Sequence, residues 1–318
     1  MDYLKYLYPE IRQVIQNSIP NSWPELRFVL GKLLKEPMVS EAILPLASCQ
    51  AVNGEAKNAI HVCAALLVLG LSLRILDDLE DRDRSGQLWE EVGTARAWNY
   101  ASGVHILSFE ILSKAPLEYQ VFHKINQSYI DIFFRTLAGQ NRDIARATST
   151  LEDYWLTVEM KSAGFVALAC ATGAMVGTDN PKLIQACGVF GHHLGLALQI
   201  LNDMESIWQP DGITDLKQGK ITLPLLYGLQ YHHPEREELL SIVTANEIAA
   251  HAARIKEILD HIDTKSFLIW AALKEREQAL KAIKICPNTE GREVLESYIT
   301  GMFGDIDLLL QTPEEENA

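Results

Sequence analysis

Apolar residues recur at three- and four-residue intervals along almost the whole chain, and alternating stretches rich in β-branched residues are nearly absent. Proline and glycine divide this pattern into segments that predict helices over about 4–17, 24–35, 38–52, 55–82, 89–113, 116–140, 150–177, 181–208, 220–230, 235–243, 246–261, 265–284 and 289–310. The predicted class is therefore all-α. Helices over 59–76, 101–112 and 163–177 are apolar around most of their circumference, as expected at the centre of a large bundle. No Gly/Ser-rich or Pro-rich linker and no repeat of fixed period interrupts the series, which predicts one domain over 1–311 with a disordered tail, TPEEENA, over 312–318.

Charge narrows the function classes. The 318 residues carry 28 basic and 42 acidic side chains, a net charge of −14, with no long Lys/Arg cluster, so a nucleic-acid partner is not expected. An acidic protein that handles an anion needs metal ions or locally placed cations. The five cysteines, Cys49, Cys63, Cys170, Cys187 and Cys286, are odd in number, lie far apart and form no CxxC, which fits a reducing compartment and a cytoplasmic protein. MDYLKYLYPEIRQ lacks the basic start and apolar run of a signal peptide. The most apolar run, Val62–Leu73, falls short of the roughly 20 residues that span a bilayer, so it reads as a buried helix and not as a membrane anchor.

Three segments carry candidate chemistry. In LRILDDLEDRDRSG, residues 73–86, acidic side chains follow directly on the most hydrophobic helix. Asp77 and Asp81 share one helix face and Asp78 lies about 100° away, so carboxylates converge at a helix end where the macrodipole disfavours anions. Either Arg74, Arg82 and Arg84 pair with them locally, or they bind Mg²⁺. In LGLALQILNDMESIW, a second apolar helix ends in oxygen-bearing side chains, with Gln199 and Asp203 four apart and Asn202 and Ser206 four apart. Mg²⁺ takes oxygen ligands, typically one or two carboxylates with phosphates and waters filling the rest, so two such helix ends facing a cleft would suit a diphosphate. The cationic complement is Lys161, in MKSAGFVALA, and Lys220, in DLKQGKITLPL. Taken alone, Lys161 reads as a snorkelling side chain.

The set DDLED at 77–81, GQNRD at 139–143, KS at 161–162, LGLALQILND at 194–203 and DLKQGKITLPL at 215–225 resembles, in order and spacing, the trans-prenyltransferases, the head-to-tail isoprenyl diphosphate synthases and their relatives, over about residues 40–230. The resemblance implies the isoprenoid-synthase helical bundle around a deep central cavity, a homodimer, an allylic prenyl diphosphate substrate and Mg²⁺, three ions in all. It places Asp77, Asp78 and Asp81 on the first metal motif and Asn202, Asp203 and Ser206 on the second. Arg84, Lys161, Gln199 and Lys220 fall on positions that contact the diphosphate or line its approach, and Asp77, Asp81, Lys161 and Lys220 become the catalytic set.

Two departures from the family pattern matter. The second motif, Asn202-Asp203-Met204-Glu205-Ser206, is closer to the Asn/Ser/Glu pattern of class I terpene cyclases, although the final Glu of that pattern falls at Pro210, leaving Asp211 or Glu205 to substitute. The cations that hold isopentenyl diphosphate in elongating synthases are also missing: there is none from Pro37 to Ala56, Gly70 stands near the expected His, and Arg84-Ser85-Gly86 keeps one arginine of two. Each charge-assisted hydrogen bond that is missing forfeits roughly 1.5–3 kcal/mol. The expected chemistry is ionisation of a farnesyl or geranylgeranyl diphosphate, with cyclisation or elimination ahead of transfer to a peptide or aromatic acceptor, and chain elongation behind both. The MKSAGFVALA and LVLGLSLRILDDLEDRD segments resemble bacterial isoprenyl transferases that modify a pheromone tryptophan. A regulatory subunit of a heteromeric prenyl synthase is the non-enzymatic alternative; such subunits typically lose the DDxxD kept here.

Trp98, Tyr100, Trp155 and Phe165 are candidates for cation-stabilising aromatics, each also explicable as core. Leu66, Leu69, Ser72 and Leu73, one to three turns before Asp77, are expected to line the hydrocarbon pocket. His192-His193 and His232-His233 lack zinc spacing and read as surface residues. The segment from Gly212 to Gly219 is a candidate lid.

Overall fold

A computed structural model describes residues 2–34, 39–81, 88–145, 148–208 and 213–304. Among these residues every regular element is helical. Numbered along the chain, the α-helices are α1 Tyr8–Ser18, α2 Pro24–Leu33, α3 Val39–Ala51, α4 Ile60–Asp81, α5 Leu88–Val92, α6 Thr94–Ser113, α7 Tyr119–Ile144, α8 Leu151–Val158, α9 Gly164–Gly177, α10 Pro181–Trp208, α11 Thr214–Lys217, α12 Leu223–Gln230, α13 Arg236–Thr244, α14 Ala252–His261, α15 Thr264–Ala282 and α16 Thr289–Gly301. A π-helical turn, Glu159–Ala163, joins α8 to α9.

The chain divides into two compact units. The first comprises Met1–Ile132, Ala167–Gly191 and Ala282–Tyr298. Its centre is α4, which packs along α6 and against α1 and α3. Val62, Cys63, Ala64, Ala65, Val68 and Leu69 are fully buried there, as the all-round apolar pattern requires. The Ser72 hydroxyl donates to the Ala101 carbonyl of α6 at 3.0 Å. The helix that contains the Val62–Leu73 run is longer than the run itself: Ala56–Glu80 is long and apolar enough to cross a membrane, as are Leu151–Gly177 and Pro181–Trp208. Length alone therefore does not separate a buried helix from a spanning one here.

The second unit comprises Phe133–Val166, His192–Lys281 and Ile299–Ala318. It has an aliphatic cluster of Ile207, Leu216, Leu225, Leu239, Ile242, Ile248, Ile255, Ile258 and Leu259, which gathers α11 to α14 around the end of α10. Leu216 anchors α11, so residues 214–217 of the expected lid are a short helix with a buried side chain and not an open loop. The expected helix over 89–113 is broken at Gly93, whose φ is +81°. The one expected over 246–261 begins only at Ala252, after a turn at Asn246 with φ +57°.

Candidate active site

The first acidic motif closes α4 in the first unit. Asp77 and Asp78 are half-buried in its last turns and Asp81 is its final residue. Arg84 lies outside the described residues, as do Pro210, Asp211, Gly212 and the 312–318 tail. On the same helix Leu69 and Ser72 are fully buried and Leu66 nearly so, whereas Gly70, Leu73 and Asp77 form a partly accessible stripe. Of the four expected pocket residues, Leu73 alone is partly accessible. Tyr100 stacks on Trp23 with ring centroids 5.4 Å apart and is core, whereas Trp98 is exposed. Trp155 meets Tyr154 edge-on at 5.0 Å, and Phe165 is partly exposed.

The lysine-bearing and second-motif segments belong to the second unit. The π turn carries Lys161 and Ser162 and is held by close backbone approach. A Cβ on Gly139 of α7 would fall 2.7 Å from the Lys161 amide nitrogen, and one on Gly195 of α10 would fall 2.6 Å from the Ala163 Cα. Only glycine admits both neighbours at these distances. The glycines of GQNRD and LGLALQ are thus what lets α7 and α10 close on the turn. π turns of this kind occur frequently at functional sites. Lys161 Nζ lies 2.8 Å from Asp143 Oδ2, and the Ser162 hydroxyl donates to Gln199 Oε1 at 3.0 Å. Arg142 ties α7 to α8 through Thr157 at 3.4 Å and Asp153 at 3.3 Å.

On α10 the expected ligands separate. Asn202 is exposed and Ser206 partly so, its hydroxyl donating to the Asp203 carbonyl at 2.9 Å. Asp203 is 2 % exposed. Its Oδ1 accepts from Gln199 Nε2 at 2.8 Å, and its Oδ2 accepts from the Tyr154 hydroxyl at 2.8 Å and the Leu223 backbone N–H at 3.1 Å. Burial pushes the Asp203 carboxyl up to about 6; the three hydrogen bonds pull it down and Asp215 adds a further upward push. Burial, and then the neighbouring Asp203, hold the Tyr154 phenol well above its ordinary range, so it is a permanent donor. Lys220 is partly exposed on the segment leading into α12, its backbone N–H donating to the Asp215 carbonyl at 2.9 Å. Asp143 and Tyr154 are the residues that sequence reasoning missed. The first stands in the GQNRD segment, and the second lies seven residues before Lys161.

The histidine pairs are less exposed than expected. His233 is buried, with its ring Nε2 2.9 Å from the Gly228 carbonyl, and His193 Nδ1 lies 2.6 Å from Glu275 Oε2. Among the described residues no three His, Cys, Asp or Glu side chains gather as a metal-binding group. The more accessible oxygen donors, Asp77 and Asp78 on α4 and Asn202 and Ser206 on α10, are of the chemistry that Mg²⁺ prefers.

Similarity to known proteins bears on the fold and on the family. The geranylgeranyl diphosphate synthase of Mycobacterium tuberculosis (strain ATCC 25618 / H37Rv) is 27% identical over 237 residues, covering 68% of this chain and 67% of that one. The tryptophan prenyltransferase ComQ of Bacillus subtilis (strain 168) is 24% identical over 221 residues, covering 68% and 69%. The crystal structure of a decaprenyl diphosphate synthase from Rhodobacter capsulatus superposes with a TM-score of 0.86 over 96% of this chain and 98% of that chain, at 16% identity, and shows the same all-helical fold. The polyprenyl synthetase family model matches residues 31–262, about three quarters of the sequence, and the chain belongs to that family of prenyl-transferring enzymes.

Proposed function

We propose that this chain is a Mg²⁺-dependent prenyltransferase that ionises an allylic prenyl diphosphate, farnesyl or geranylgeranyl, and passes the prenyl group to an acceptor. The observation that carries the reading is the π turn clamped between Gly139 and Gly195, which sets Lys161 beside Asp143 and Ser162 beside Gln199. By the family resemblance, metal would be held by Asp77, Asp78 and Asp81 on α4 and by Asn202 and Ser206 on α10, and when bound it neutralises charge on the departing diphosphate. Lys161, Lys220 and Arg84 add cationic hydrogen-bond donors for the leaving group. Asp143 pairs with the Lys161 ammonium at 2.8 Å. As the allylic C–O bond breaks, its electron pair leaves with the diphosphate; the acceptor's π electrons then form the new C–C bond, and a proton is lost from the acceptor carbon.

Membership among synthases and transferases favours transfer over the cyclisation that Asn202 and Ser206 suggested. The cation-free stretch from Pro37 to Ala56 favours an acceptor without a diphosphate of its own, such as an aromatic or peptide side chain. Five free thiols, all buried, suit a cytoplasmic enzyme, and a homodimer remains the expected assembly. Incubation with Mg²⁺ and geranyl, farnesyl or geranylgeranyl diphosphate, alone and with isopentenyl diphosphate or a tryptophan-containing peptide, tests this reading. Diphosphate release that requires the peptide supports it. A longer prenyl diphosphate formed with isopentenyl diphosphate would make the enzyme an elongating synthase, and hydrocarbon from the allylic substrate alone would overturn transfer altogether.

A further inference from the structure

Helix α10 presents two distinct polar faces. Asn202 and Ser206, four residues apart, share an accessible face; Gln199, half-buried, and Asp203, buried, lie four apart on another face about 100° away. Asp203 continues the buried line of Leu196, Ile200 and Ile207. A Mg²⁺ ion keeps several waters and needs room beside its ligand, yet both Asp203 oxygens already receive protein donors and the residue is 2 % exposed. These donors come from three elements: Tyr154 from α8, Gln199 from α10 and the first N–H of α12 from Leu223. Thr222, at the N-cap of α12, makes no side-chain cap, so the Asp203 carboxylate supplies the acceptor that the helix end lacks. Through Gln199 the network continues to Ser162 and the Lys161 turn.

We propose that Asp203 and Tyr154 form a buried positioning pair that fixes the end of α10, so that Asn202 and Ser206 meet the metal while Asp203 does not. The proposal rests on the metal-dependent reading above and reassigns one member of the second motif. A carboxylate suits the role because it accepts from every side; an asparagine there would turn an N–H₂ toward at least one of three donors.

The experiment combines thermal denaturation of the metal-free protein, Mg²⁺ titration in the presence of inorganic diphosphate followed by thermal shift, and steady-state kinetics on Tyr154→Phe, Asp203→Asn, their double variant and Asn202→Ala. The pair predicts that Tyr154→Phe and Asp203→Asn lower the melting temperature of the metal-free protein, and that the double variant melts close to Asp203→Asn alone. It also predicts that Tyr154→Phe reduces kcat about tenfold and raises the Mg²⁺ midpoint, by less than Asn202→Ala does, while KM for the allylic diphosphate stays within about twofold. Asn202→Ala should leave metal-free melting unchanged and raise the Mg²⁺ midpoint at least about tenfold. An Asp203→Asn protein that melts like the parent but needs about tenfold more Mg²⁺ would make Asp203 a ligand and overturn the proposal. Should Asp203→Asn fail to fold, Tyr154→Phe decides: unchanged melting and unchanged kcat refute the pair. If Asn202→Ala leaves the Mg²⁺ response unaltered, the metal reading of Asn202 fails, while the melting and double-variant results still judge the pair.

Discussion

Lys161 is the residue on which the chemistry turns most directly. Removing a cationic donor from a developing anion reduces turnover by about 10²–10³, so Lys161→Ala should lose kcat on that scale, and Lys161→Arg should recover only part of it because the Asp143 contact at 2.8 Å is set for an ammonium. Single-turnover kinetics would measure both. Gly195 tests the clamp: Gly195→Ala places a methyl 2.6 Å from the Ala163 Cα and should destabilise the fold by about 1–3 kcal/mol. Gly31→Ala, in α2 with open space around it, should stabilise by about 0.5–1 kcal/mol. Chemical denaturation of the pair decides between a packing role and mere helix propensity. Lys161, Gln199 and Lys220 were legible in the sequence because motif order singled them out. The direction of Asp203 was legible too, since it falls in register with Leu196, Ile200 and Ile207, but a motif reading treats every acid as outward. Tyr154 gave no such sign, because its role depends on a partner 49 positions away.

The elements themselves follow the hydrophobic period closely. Predicted 181–208 is observed as Pro181–Trp208, and 24–35 as Pro24–Leu33. Breaks inside apolar runs were hidden: Gly93 splits one predicted helix with a left-handed φ that no apolar count registers, and the Leu151–Gly177 segment conceals its π turn because no proline marks it. The α4 helix carries a prediction about substrate length. Leu73, one turn before Asp77 on the accessible stripe, is where bulk should matter: Leu73→Phe should shift preference toward a shorter allylic diphosphate, read by competition among geranyl, farnesyl and geranylgeranyl substrates. Ser72→Phe instead overpacks the contact with Ala101 and should cost at least about 1–3 kcal/mol of stability.

At the scale of the molecule, the five cysteines give a simple test of compartment and core. All are buried, and burial pushes the Cys49 and Cys170 thiols up to about 12. The native protein should therefore react with alkylating reagents far more slowly than the denatured chain, which should titrate all five thiols. Rapid labelling of any of them in the native state would show that these cores open locally. The all-α class and the family were readable from composition, period and motif order; the division into two compact units was not, because α7 and α10 run through its boundaries without a break in pattern. The widened turn at Glu159–Ala163 has one more consequence. A helix that accommodates an extra residue advances its angular phase by about 100°, so the Leu151–Gly177 rod is two screws with different zero points. The stretch ahead of the insertion aims Tyr154 at Asp203, while the turn itself sets Lys161 beside Asp143 and Ser162 beside Gln199. Deleting a single residue there would realign the two screws, and with them dismantle the division of labour between anchoring and catalysis.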